Sequence, residues 1–244
     1  MDPPLRTKQE TRAITIRIVL LAFILFFNST STTYLYSFLP DMMVDFGLVE
    51  SKSDSGKYAS WLASGFFFGR FISASFWGIF IDKYGRKAGL LTILASVSFL
   101  TLLFGFSTSF TMALIIRTIT GLFNGLSIVG KTLSTEICPP DLKPWSISVT
   151  NTIWALGMTV GPGIGSLFFR VIDGYPYLMS ATVVCLLGCL MCFLSYVFME
   201  ETLTETKKKQ LQEERELIAG GGSAKLADQT DEEADRNEVE QQEQ

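Results

Sequence analysis

Cations stand inside stretches of this chain that are otherwise apolar. Arg70 lies midway along "FFFGRFISAS", Arg117 lies in "LIIRTITGLFNGL", and Lys131 follows fourteen residues later, about four helical turns on. A charge at bilayer depth costs roughly 2.5–3.5 kcal/mol on insertion scales, so Arg70 and Arg117 are expected to face a cavity or an ion partner. Lys131 reads equally as a side chain that snorkels to the headgroups. No Asp or Glu occupies the middle of an apolar stretch; Asp41 and Glu136 stand at the ends of two of them. The cations therefore either meet an anionic solute or find carboxylates on helices this chain lacks. Such chemistry is binding and charge coupling, not bond making. The chain has no histidine and no interior acid pair, and its glycine triplet at 220–222 lacks the directly following lysine and the context of a phosphate loop, so an enzyme is not expected.

Uncharged polar residues extend the pattern. The run "NSTSTT" at 28–33 sets six polar side chains in mid-segment. Asn28 and Thr32 from this run, with Arg70 and Asn124, are the candidates for lining a wet cavity that takes the solute. Serine and threonine can also bond back to their own helix, which makes a packed interface the alternative. In "GMTVGPGIGS", Gly157, Gly161 and Gly165 recur at i, i+4 and i+8, a spacing that lets a neighbouring backbone approach closely. Pro162 among them removes a helix hydrogen bond and is expected to introduce a kink. Gly121 and Gly125 repeat the four-residue spacing just after Arg117. Cys185, Cys189 and Cys192 share one helix face, and without histidine they read as packing residues rather than a soft-metal site. Cys138 stands alone, so neither a disulfide nor a metal nor any cofactor is expected.

The elements that must position these residues are long and oily. Of 244 residues, 48% are hydrophobic and 13% aromatic, and the mean hydropathy is +0.33. Roughly 20 apolar residues span a bilayer as a helix. Six blocks qualify, at 16–39, 58–81, 88–107, 110–135, 145–169 and 176–199. They are continuously apolar, without the alternation of barrel strands, which predicts an all-α membrane protein. Residues 1–15 precede this six-helix bundle (16–199), and residues 200–244 form a tail with fourteen acidic and six basic residues, net −8, against +4 for residues 1–199. That composition predicts a solvated, largely disordered tail. Lys and Arg collect before the first block and after the second, fourth and sixth, which places both termini in the cytoplasm.

The turn between the second and third blocks reads "GIFIDKYGRK". It resembles the G-x-x-x-D-[RK]-x-G-[RK]-[RK] signature of the major facilitator superfamily at Gly78, Asp82, Lys83, Gly85, Arg86 and Lys87, and on the expected cytoplasmic turn. "RTITG" resembles that family's fourth-helix motif at Arg117 and Gly121, with Thr120 in place of the usual Gln. "GMTVGPGIGS" resembles the fifth-helix signature of proton-driven antiporters, with Ser166 in place of the last glycine. "YASWLASGFFFGRFISASFWGIFIDKYGRK", "STEICPPD" and "NTIWALGMTVGPGIGSLF" are most similar to the drug–proton antiporter branch, and within it to the zinc-induced-facilitator-like and tetracycline-efflux-like proteins.

The resemblance implies six transmembrane helices forming the N-terminal half of a major facilitator fold. It implies a secondary active transporter that moves a small organic solute by proton-coupled efflux or antiport. The 78–87 motif would be a gating latch whose glycines admit helix eleven. Arg117 would serve proton coupling by pairing with an acid or biasing its protonation, and the helix-five glycines with Pro162 would pack against helix eight. Implied partners are a small-molecule substrate, protons, the lipid bilayer, and a second six-helix half or a second copy; nucleic acid is not expected. The family has twelve or more spans. A piece of a longer transporter, a half-transporter and a non-transporting accessory protein therefore all stay open, as do the substrate and the choice between plasma membrane and a vacuolar or lysosomal-type membrane.

Overall fold

A computed structural model describes residues 8–139 and 141–199; the acidic tail and the first seven residues lie outside these, as does the side chain of Lys131. The described residues form helices α1 (Lys8–Thr33), α2 (Leu39–Asp45), α3 (Gly56–Tyr84), α4 (Arg86–Gly105), α5 (Phe110–Phe123), α6 (Leu126–Ile137), α7 (Lys143–Leu167) and α8 (Leu178–Phe198), with 3-10 turns at Tyr34–Ser37 and Lys52–Asp54. The six apolar blocks map onto these in order, the first as α1 with its 3-10 turn and the fourth as α5 and α6 together. Among the described residues, five segments are long and apolar enough to cross a membrane: Ile14–Ser37, Gly56–Tyr84, Arg86–Gly105, Phe110–Ser134 and Leu178–Phe198. The remaining block, α7, is 25 residues long. Its Ser, Thr, Asn and Gly residues lower its hydropathy, and the buried ones, Ser146, Thr150, Gly157, Gly161 and Gly165, form one narrow face.

Local chemistry sets the breaks. Gly85 has φ of +104° between α3 and α4, a backbone region that only glycine enters without strain, so the chain reverses there. Ser109 caps α5 by accepting a hydrogen bond from the Met112 amide at 3.4 Å. The fourth block does not run straight. Asn124, with φ −90° and ψ +73°, leaves helical geometry and separates α5 from α6. The Leu122 carbonyl loses its helical partner at this break, and the Trp77 indole N–H from α3 supplies a replacement at 2.8 Å. Pro162 does not end α7, which continues through it.

The helices associate in pairs, α1 along α7, α3 along α5 and α4 along α8. Phe27, Leu35, Phe38, Met42, Leu62, Ile93 and Phe104 are buried among them, while Phe68, Phe71, Ile79, Leu186 and Phe193 are exposed on the outer surface. Lipid tails give helices no hydrophobic reason to associate, so close backbone approach matters more than in water. Between α3 and α5 that approach depends on Gly121, where an added Cβ would collide with the Phe66 carbonyl oxygen.

Candidate functional site

Three groups of residues carry the chemistry. The first is the turn after α3. Arg86 opens α4, and its guanidinium grips Glu136 near the end of α6, with Nη2 2.8 Å from Oε1 and Nε 3.1 and 3.2 Å from the two carboxylate oxygens. Nη2 also lies 3.1 Å from Asp82 Oδ1, and Nη1 donates to the Ile81 carbonyl at 3.4 Å, next to the exposed end of α3. The Arg86 side chain is only 9% exposed, whereas that of Asp82 is 70% exposed. Asp82 is therefore the solvent-facing member and Arg86 the anchor. Lys83 lies over the Tyr84 ring, and Lys87 lies over Tyr196 of α8, at 5.4 and 5.3 Å from the centroids. Nothing lies within 4 Å of a Cβ placed on Gly78, so that face of α3 is open. Glu136 was not among the expected latch residues; its position at the end of an apolar block was the one available signal.

The second group surrounds Arg117. This side chain is buried, and Nη2 donates to the Thr32 carbonyl oxygen at 2.9 Å. That carbonyl lies where α1 gives way to its 3-10 turn and the regular i+4 hydrogen bond lapses. The guanidinium carbon lies 4.8 Å from the Phe66 ring centroid and 5.7 Å from that of Phe104. Arg117 thus meets a helix end and two aromatic faces, and no acid pairs with it among the described residues. Gly121, one turn further, brings the Phe66 turn of α3 against it. Arg117 Nε and the buried Tyr34 hydroxyl have no hydrogen-bond partner among the described residues.

The third group lines a cavity of about 510 Å3 bounded by Arg70 of α3, Leu25 of α1, Ser127, Gly130 and Ser134 of α6, and Ile147, Thr150, Asn151 and Trp154 of α7. Of the four expected cavity residues, Arg70 is in this wall. Asn28 is buried behind it, its Nδ2 3.5 Å from Ser127 Oγ and its Oδ1 without a partner. Asn124 is buried with both amide atoms unpartnered among the described residues, and neither it nor Thr32 belongs to the wall. Asn151 and Trp154 were not anticipated. They lie on a stripe of α7 beside its glycine face, at the i, i+4, i+7 spacing Ile147, Asn151 and Trp154 make visible.

The polar run of α1 corrects an expectation. Rather than lining a wet cavity, Ser29, Ser31, Thr32 and Thr33 donate to carbonyls of their own helix, and Thr30 donates to the Gly157 carbonyl at 3.3 Å. The glycine face of α7 packs on this same run. A Cβ on Gly157, Gly161 or Gly165 would collide with Ser29 Oγ, Thr33 Oγ1 or the Tyr34 carbonyl oxygen respectively. The face expected to await helix eight is filled by α1. The physical reason is that small hydroxyl and glycine surfaces allow the closest backbone approach open to two membrane helices.

A protein-family model described as Major Facilitator Superfamily matches residues 21–229. Zinc induced facilitator 1 of Arabidopsis thaliana is 35% identical over 153 residues, which cover 63% of this chain and 32% of that protein. The multidrug transporter mfsB of Aspergillus fumigatus is 27% identical over 225 residues, 84% of this chain and 37% of that protein. The chain thus spans about a third of the length of these curated relatives. Among solved structures, the proton:xylose symporter XylE bound to 6-bromo-6-deoxy-D-glucose superimposes with a TM-score of 0.69 at 16% identity, over 83% of this chain and 48% of that one. These relatives are transporters rather than enzymes, and the same helical fold recurs in a multi-pass membrane protein of known structure. The chain belongs to the major facilitator superfamily.

Proposed function

We propose that this chain forms one wall of an alternating-access carrier that moves a small organic solute by proton-coupled antiport. The observation that carries the reading is the cavity at Arg70, which three of the membrane segments line together with α7. Carriers of this kind rock two halves about a midplane site. The solute path is completed by a second six-helix half or a second copy of this chain, which meets the open face of α3 around Gly78. Asp82, Arg86 and Glu136 hold the cytoplasmic latch. Arg117 couples to protons by holding the helix break of α1, where the unpartnered Tyr34 hydroxyl gives it a second polar neighbour. The cation distribution supports cytoplasmic termini, and the carrier reading suits a plasma membrane or a vacuolar or lysosomal-type membrane.

The test is flux into proteoliposomes under an imposed proton gradient. Gradient-dependent uptake of a solute, lost in Arg117→Ala and Asp82→Asn, supports the reading. Absence of flux from both the chain alone and its cross-linked dimer removes the half-transporter form of it.

A further inference from the structure

The cavity wall has a chemical bias that narrows the solute. Arg70 is the fifteenth residue of the 29-residue α3, about 21 Å from either end of the helix. Its guanidinium makes no ion pair or hydrogen bond among the described residues. Every described acid lies at an end of a long helix, on the short α2, or in a connecting segment, far from this depth. A half-buried cation in that position needs an anion to offset its desolvation.

The neighbouring polar groups can all donate, although the Asn151 amide oxygen can also accept. Arginine and indole nitrogens can only donate, and Trp154 and Asn151 have no partner for their N–H groups among the described residues. Ser127 faces Asn28 Nδ2 as an acceptor, which leaves its own hydroxyl hydrogen for the cavity. The Thr150 hydroxyl is spent on its own helix, and Ser134 and Ser146 bond each other. The wall therefore offers Arg70, Asn151, Trp154 and Ser127 as donors, and no carboxylate as acceptor. Leu25, Ile147 and the Trp154 ring add apolar surface. The volume falls within the roughly 300–1,000 Å3 of small-molecule sites.

The geometry points to a small organic acid as the ligand of this cavity, its oxyanion held by Arg70 with Asn151 beside it and its apolar body against Trp154. The assignment rests on reading the cavity as the solute site. A carboxylate suits the planar guanidinium fork, which binds it through two parallel hydrogen bonds.

Equilibrium binding tests it, with the full chain in nanodiscs of zwitterionic lipid and tryptophan fluorescence as the readout. The probes are 2-naphthoate, neutral 2-naphthamide and cationic 2-naphthylmethylammonium. Wild type is expected to bind naphthoate about ten- to hundredfold more tightly than the amide, the range charge-assisted hydrogen bonds span. Arg70→Gln should abolish that preference while the amide still binds, which also shows that the variant is folded. Arg70→Lys should restore part of it. Equal affinity for all three probes, or a preference that survives Arg70→Gln, overturns the anion assignment and leaves the solute cavity standing. Binding that is indifferent to Trp154→Ala, or absent for every probe, removes the cavity reading as well. Competition by added anionic lipid but not by soluble carboxylates would give the site to a headgroup and overturn the assignment.

Discussion

Arg86 on the turn between α3 and α4 and Glu136 near the end of α6 form a nearly buried ion pair, with Nη2 2.8 Å from Oε1. The pair ties two helices separated by fifty residues of chain at one end of the bundle. Asp82 also touches Arg86, but from solvent. The motif thus divides into an anchored part, Arg86 with Glu136, and an exposed part, Asp82, that is free to meet another surface.

That division predicts a split between stability and transport. Glu136→Gln or Arg86→Ala should lower the thermal midpoint in detergent, because breaking a largely buried pair strands the remaining charge at a cost of about 3 kcal/mol or more. Asp82→Asn should shift it little, within roughly 1 kcal/mol, since exposed pairs contribute in that range. The same Asp82→Asn variant should still lose flux. Equal destabilisation by the two classes, read by differential scanning fluorimetry, would contradict the assignment of roles.

The α1–α7 interface gives a test with an internal control on one helix. Gly161→Ala should destabilise by roughly 1–3 kcal/mol, because its new methyl collides with the Thr33 hydroxyl and the backbone of α1 cannot retreat. Gly163→Ala, two residues away, meets open space and should be neutral or stabilising by up to about 1 kcal/mol. Thermal midpoints of the two variants decide it; a reversed order would mean that α7 does not pack on α1 through its glycine face.

Arg117 should be sensitive to shape as well as charge. Arg117→Lys keeps the charge but loses the planar stacking on Phe66 and Phe104, and Arg117→Ala also leaves the Thr32 carbonyl unpaired. An unpaired buried carbonyl costs about 1–3 kcal/mol, so the alanine variant should be the less stable of the two. Both should lose proton-gradient dependence in the flux assay. A lysine variant with unchanged gradient dependence would show that the stacking is irrelevant to coupling.

The loop ends far from the latch should respond to salt. Arg170 Nη2 lies 2.6 Å from Asp45 Oδ1, and the Tyr177 hydroxyl donates to Asp45 Oδ2 at 2.8 Å. The Arg170–Asp45 pair is half-exposed and should contribute no more than about 1 kcal/mol, declining as ionic strength rises. The Tyr177 hydrogen bond is to a charged acceptor, and Tyr177→Phe should cost about 1.5–3 kcal/mol at low salt. Midpoints of Arg170→Gln and Tyr177→Phe at two salt concentrations check the order.

Much of this architecture was legible because lipid imposes simple rules. Length and apolarity gave the helical blocks, and the spacing of Gly78, Asp82, Gly85 and Arg86 marked the turn between two of them. The partners of those residues were not legible. Whether Ser29 and Thr33 faced water or the glycines of α7 depended on which helix lay alongside, and a chain of single helices carries no record of pairing. The break at Asn124 was hidden for a related reason: the Trp77 indole that sustains it comes from another helix, 45 residues away. Asn151 and Trp154 escaped notice because a polar or aromatic residue in a membrane helix shows its direction only once its neighbours are placed.

The alternating-access reading is tested most directly at Asn151, with Asn151→Cys placed in a protein whose native cysteines are replaced by serine or alanine. Reconstituted in vesicles, the cavity thiol should react with a membrane-impermeant maleimide from one face and then the other as the proton gradient is reversed, while a cysteine at lipid-facing Phe193 stays unreactive. Reactivity at Asn151→Cys that is absent from both faces, or equal from both whatever the gradient, would contradict the account.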